Sequence, residues 1–134
     1  MRAALAFCLL AACSADRAHV LVGSHHVNAP GMYEETNPGL MLTWEGETDI
    51  TAGGFRNSYG DWVPAALASR EIAAAGPVSL HPFIGVAGYR HRPMPLIGAE
   101  VRAGNVFAQA IISDGKPEPL VLTFGLTIPL ETGK

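Results

Sequence analysis

The residues able to do chemistry gather in two short stretches. Ser24-His25-His26 joins a hydroxyl to two imidazoles, and Phe55-Arg56-Asn57-Ser58-Tyr59 sets a second hydroxyl beside an amide and a guanidinium. A histidine and a serine that meet in space can carry out acyl transfer. The neutral imidazole takes the hydroxyl proton, and the freed oxygen attacks an ester carbonyl. The oxyanion formed in that step needs donors around it, such as Arg56 or backbone amides. Spacing alone does not demand this reading, because a histidine at a strand end is more often solvated or hydrogen-bonded than catalytic. Metal chemistry is disfavoured. His25 and His26 adjoin on an extended stretch and point to opposite faces, while His81 and His91 stand apart with no His-x-His or His-x3-His spacing. No metal or cofactor is expected.

The elements that must position these residues read as strands. β-rich or alternating segments run over 18–26, 40–45, 49–57, 61–72, 78–89, 94–102, 106–112 and 118–130, separated by Gly, Pro, Asn and Asp clusters. Pro64 marks an edge, a bulge or a gap in the ladder. The run 73–77, Ala-Ala-Ala-Gly-Pro, reads as a turn rather than a scrap of helix. The last segment alternates most clearly, with Leu120, Leu122, Phe124, Leu126 and Ile128 on one side and Val121, Thr123, Gly125 and Thr127 on the other. Eight short strands without a helical period predict an all-β fold, an eight-stranded antiparallel up-and-down β-barrel. Closure would remove the unpaired edges of such a sheet.

With 134 residues the chain holds one domain. Residues 1–15 read as a signal peptide: one positive charge, an apolar run and small residues before Asp16. A lipobox-like Leu10-Ala11-Ala12-Cys13 offers a second reading, lipidation at Cys13. Residues 16–134 would form the barrel, and Cys8 and Cys13, the only cysteines, both fall in the leader. Thiol catalysis and internal disulfides are thereby excluded from the domain. A net charge of −3 with scattered basic residues excludes nucleic acid as a partner. Hydrophobic residues make up 49% and charged ones 16%, yet no apolar run beyond the leader approaches the ~20 residues of a spanning helix. Strands near the ~9–11 residues of a tilted membrane strand, with Gly- and Thr-rich faces too small to fill a soluble core, point to the outer-membrane type. Segments 78–89 and 106–112 are apolar on both faces, which fits a packed or lipid-holding interior.

The order of features resembles the outer-membrane lipid A palmitoyltransferase (PagP) family. The resemblance rests on His26 at the end of the first strand, Tyr33-Glu34-Glu35-Thr36-Asn37-Pro38-Gly39 before the second, Phe55-Arg56-Asn57-Ser58-Tyr59, Trp62-Val63-Pro64, Gly85-Val86-Ala87 and Pro93-Met94-Pro95. It implies a barrel in the outer membrane whose rim moves an acyl chain from a phospholipid to lipid A, the chain being measured by an interior pocket and entering at proline gaps. Carried over by position, His26 and Ser58 match the family histidine and serine, and Asn57 stands where the family has an aspartate. Arg56, Tyr59, Pro93 and Pro95 would then contact substrate. The expected partners are membrane lipids, phospholipid and lipopolysaccharide, and the expected state is a monomer. Two other readings stand beside this one: a non-catalytic lipid-binding or structural barrel, and a periplasmic calyx tethered through Cys13.

Overall fold

The computed structural model describes residues 14–27, 35–89, 92–113 and 120–131. The proposed leader through Cys13, the loop around Tyr33 and Glu34, Arg90, His91 and the turn at 114–116 lie outside the described residues. The strands are β1 (Arg17–Val27), β2 (Thr36–Trp44), β3 (Asp49–Arg56), β4 (Trp62–Ser69), β5 (Ala73–Ala75), β6 (Val78–Tyr89), β7 (Arg92–Ala103), β8 (Val106–Ser113) and β9 (Leu120–Pro129). Each pairs antiparallel with its neighbour in the chain, except that β4 pairs directly with β6. β1 also pairs with β9 along its length, from Arg17↔Pro129 to Val27↔Leu120. Eight strands thus form a closed antiparallel barrel.

Three local readings are corrected. The segment read as a strand over 61–72 stops at Ser69, and the alanine run is neither helix nor simple turn. It forms β5, which pairs with Val78–Leu80 of β6 around a turn at Gly76-Pro77. Gly76 has φ 59°, a left-handed conformation open to glycine, and this lets the chain reverse there. The strand read over 40–45 begins earlier, at Thr36, because Pro38 is accommodated within β2.

The alternation of side chains follows the pleat. On β9, Leu122, Phe124, Leu126 and Ile128 face outward, while Thr123 and Thr127 are buried within. Ile84 and Val86 on β6, and Ile97 and Val101 on β7, continue the outer apolar face. The interior is layered. A polar layer near the end holding β1's start contains His19, Thr43, Thr51, Glu100, Arg102, Gln109, Thr123 and Thr127. Above it lies an apolar layer of Met41, Ala65, Phe83, Ala87 and Leu96, packed with Leu21, Phe55, Leu67, Tyr89 and Ile111.

Within the polar layer the groups around Glu100 meet partners. Glu100 accepts from His19 Nε2 (3.2 Å), Gln109 Nε2 (2.6 Å) and Arg102 Nε, and Gln109 Oε1 accepts from Thr123 Oγ1 at 2.9 Å. Thr43 bridges His19 Nδ1 and Thr51 at 3.2 and 2.8 Å. One buried carboxylate therefore ties β1, β7 and β8 across the barrel. Such a network is stabilising only when fully satisfied, since a buried charge without partners costs several kcal/mol.

Candidate active site

His26 and Ser58 meet at the other end of the barrel. Ser58 Oγ lies 3.1 Å from His26 Nε2. Two local features produce this contact, one on each strand.

On β1 a bulge at Val22 shifts the register, so that Leu21 faces Gly125 of β9 but Gly23 faces Phe124. An extra residue flips the phase of every side chain beyond it. Below the bulge His19 and Leu21 line the interior; above it Ser24 and His26 do, and Val22 and His25 face outward. Unbroken alternation from His19 would have turned His25 inward and His26 out. His25 instead pairs with Glu35 on the exposed surface, Nδ1 to Oε1 at 2.8 Å. If the pair carries out acyl transfer, His26→Ala should abolish turnover, whereas His25→Ala should retain it within a few fold. A turnover assay on both folded variants checks this.

On the facing hairpin the turn carrying Ser58 is locked by Asn57. Its backbone N–H donates to the Asp61 carbonyl (2.8 Å), its own carbonyl accepts from Gly60 N–H (3.0 Å), and its side-chain Oδ1 accepts from Tyr59 and Asp61 N–H at 3.0 and 2.9 Å. Gly60 sits at φ 86°, where a β-carbon would strain the chain. Asn side chains commonly cap turns in this way. Asn57 therefore positions Ser58, and its acceptor oxygen is committed to the turn rather than to the imidazole.

A second bond set ties the mouth together. Ser24 Oγ donates to Asn37 Oδ1, and Asn37 Nδ2 donates to the Arg56 carbonyl at 3.1 Å, linking β1, β2 and β3. Arg56 donates from Nε to the Gly60 carbonyl at 3.3 Å and is not among the residues lining the cavity. It braces the turn from outside. Tyr59 is 61% exposed at the turn's tip, and Trp62 just after it is 66% exposed. Pro93 and Pro95 face Gly88 and Val86 of β6. Pairing of β7 with β8 begins only at Leu96↔Ser113, so among the described residues the stretch above it is held on one side. Likewise β4 pairs with β6 from Ala65↔Ala87 onward, beyond Pro64. Proline has no N–H to donate to a ladder, and the β4–β6 pairing ends where Pro64 stands.

Between mouth and polar layer lies a cavity of about 100 Å³. Ser24, His26, Asn37, Asn57 and Ser58 surround its entrance, with Phe55, Phe83, Leu96 and Ile111 on its walls and Glu100 and Arg102 at its floor. That is well under the ~300 Å³ of even a small ligand pocket, so among the described residues the cavity is too small to enclose a long acyl chain. No family model and no curated protein matches this sequence. The site must be judged on its own geometry.

That geometry suits a base and a hydroxyl. His26 lies near the end of β1, opposite Val121 of β9, and its imidazole reaches Ser58 across the mouth. Among the described residues no group of three or more His, Cys, Asp or Glu could hold a metal.

Sequence reasoning passed over Glu100, Arg102 and Gln109. Their signal was present: charged residues at alternate positions of an otherwise apolar strand, Glu100-Val101-Arg102, mark an inward polar face.

Proposed function

We propose that this chain is an outer-membrane barrel that moves an acyl chain from a phospholipid to lipid A at the outer leaflet, with Ser58 as nucleophile and His26 as base. The observation that carries the reading is the 3.1 Å contact of Ser58 Oγ with His26 Nε2 at the mouth of an apolar-walled cavity. His26 Nε2 takes the Ser58 proton while Oγ bonds to the ester carbon. Collapse of the tetrahedral intermediate breaks the bond to the lipid alcohol, which leaves with the proton from His26. A hydroxyl of the acceptor then repeats the steps in reverse and releases Ser58.

Membrane residence is supported by the inverted side-chain pattern. Apolar residues face out and polar ones in, as lipid requires and water would penalise. A calyx for water would have the opposite arrangement. The barrel strands run 8–12 residues, and exposed Tyr59 and Trp62 sit where interfacial aromatics belong. The connections at the Ser58 end include the long 28–35 and 114–119 segments, while the opposite end has the two-residue turn Gly104-Asn105 beside the 70–77 connection that carries β5. Longer loops outside are the habit of such barrels, which supports Ser58 at the outer leaflet. With a cavity of about 100 Å³, most of a long chain stays in the bilayer, and the interrupted β4–β6 pairing beside Pro64 is where its ester end reaches the mouth. The small cavity also favours a second reading, a non-catalytic barrel with a packed interior.

Phospholipid vesicles containing lipopolysaccharide and a labelled acyl chain test the proposal. Label should pass to lipopolysaccharide in the presence of the inserted wild-type protein. Label that stays in phospholipid would support the non-catalytic barrel.

A further inference from the structure

Asn57 is 1% exposed, and its two side-chain ends have different surroundings. Oδ1 accepts from two backbone N–H groups, those of Tyr59 and Asp61. Only the carbonyl end of an amide can accept, so these two donors fix which way the side chain points. Nδ2 is left at the other end, buried and with no hydrogen-bond partner among the described residues. Buried donors without acceptors are rare in native proteins, because burying one costs free energy that nothing returns. This one belongs to a side chain that lines the same cavity as Ser58 and His26.

Resting on the acyl-transfer reading, we propose that Asn57 Nδ2 is the oxyanion donor of the site. When Ser58 Oγ bonds to the ester carbon, the carbonyl electron pair moves onto oxygen and the Ser58 proton passes to His26 Nε2. Nδ2–H donates to that oxygen as its charge grows. When the pair returns, the bond to the alcohol breaks and the alcohol takes the proton from His26. A donor held by two backbone bonds needs no reorganisation at that moment, which is what makes such groups effective. The amide is then suited to its position in its own right: a carboxylate there would accept from the turn equally well but would have no N–H to give.

Asn57→Asp isolates the donor, since it keeps an oxygen for the Tyr59 and Asp61 amides. With the detergent-folded protein and p-nitrophenyl butyrate, whose acyl group is small, Asn57→Asp should lower kcat by about 10²–10³-fold with KM little changed. Gel migration with and without heating should remain that of wild type. A wild-type kcat would reduce Asn57 to a turn support, and a raised kcat would make it an acidic partner of His26; either overturns the assignment. Ser58→Ala is run in parallel. If Ser58→Ala is inactive while Asn57→Asp is unimpaired, only the oxyanion assignment fails. If Ser58→Ala turns over like wild type, the acyl-transfer reading fails and takes the assignment with it.

Discussion

Ser58→Ala is expected to lose all measurable turnover while leaving the barrel folded. Removing the hydroxyl takes away the atom that bonds to the acyl carbon, and no neighbour replaces it. Among the described residues Ser24, another hydroxyl at the cavity's entrance, is engaged with Asn37. Loss of a nucleophile in a comparable serine–histidine site costs on the order of 10⁶ in kcat. The fold should survive, because the bonds that close the turn come from Asn57 and the backbone, not from the Ser58 hydroxyl. Heat-dependent gel migration checks folding, and transfer of labelled acyl chains checks activity. Residual turnover within tenfold of wild type would rule Ser58 out as nucleophile.

Glu100→Ala should be the most damaging single change to stability. The carboxylate meets three donors, from His19, Arg102 and Gln109, in a layer where all are buried. Its removal leaves a guanidinium and an amide with donors aimed at a void. Breaking a buried ion pair from one side costs about 3–5 kcal/mol. Arg102 Nη1 lies 3.7 Å from Asp49 Oδ2, which recovers a part of the loss for that one partner. Glu100→Gln, which keeps the shape and one acceptor, should cost less than Glu100→Ala. Urea titration in detergent, followed by fluorescence of Trp44 and Trp62, reads both. A shift under 1 kcal/mol for Glu100→Ala would mean that the layer is not the structural floor described above.

Much of the barrel was legible because its strands alternate strongly. On β9 each outward position is Leu, Phe or Ile and the inward ones are Val, Thr or Gly, so both the period and the inverted polarity were written in the residues. Short turns such as Gly104-Asn105 marked the hairpins. β5 was not legible, because three alanines and a Gly-Pro carry no periodic signal, and only the pairing with Val78–Leu80 makes them a strand.

The candidate site was legible in part. Residue types nominated a hydroxyl and an imidazole, but nothing local distinguishes His26 from His25. That choice is made by the bulge at Val22, which lies inside the uniform apolar run Val20-Leu21-Val22 and is set by pairing with β9. Asn57 was read by position as the counterpart of an acid; its two backbone bonds show a turn-locking role that depends on the geometry of Tyr59 and Asp61. The cavity's size was beyond reach of the sequence, because it depends on how Phe55, Phe83 and Leu96 pack across the barrel.

The most direct measurement is the mass spectrum of lipid A from a Gram-negative host expressing the wild-type protein or Ser58→Ala at equal outer-membrane levels. The acyl-transfer account predicts a lipid A species heavier by one acyl chain with the wild type and absent with Ser58→Ala. Identical spectra from both strains, with folded barrel present in each outer membrane, would contradict it.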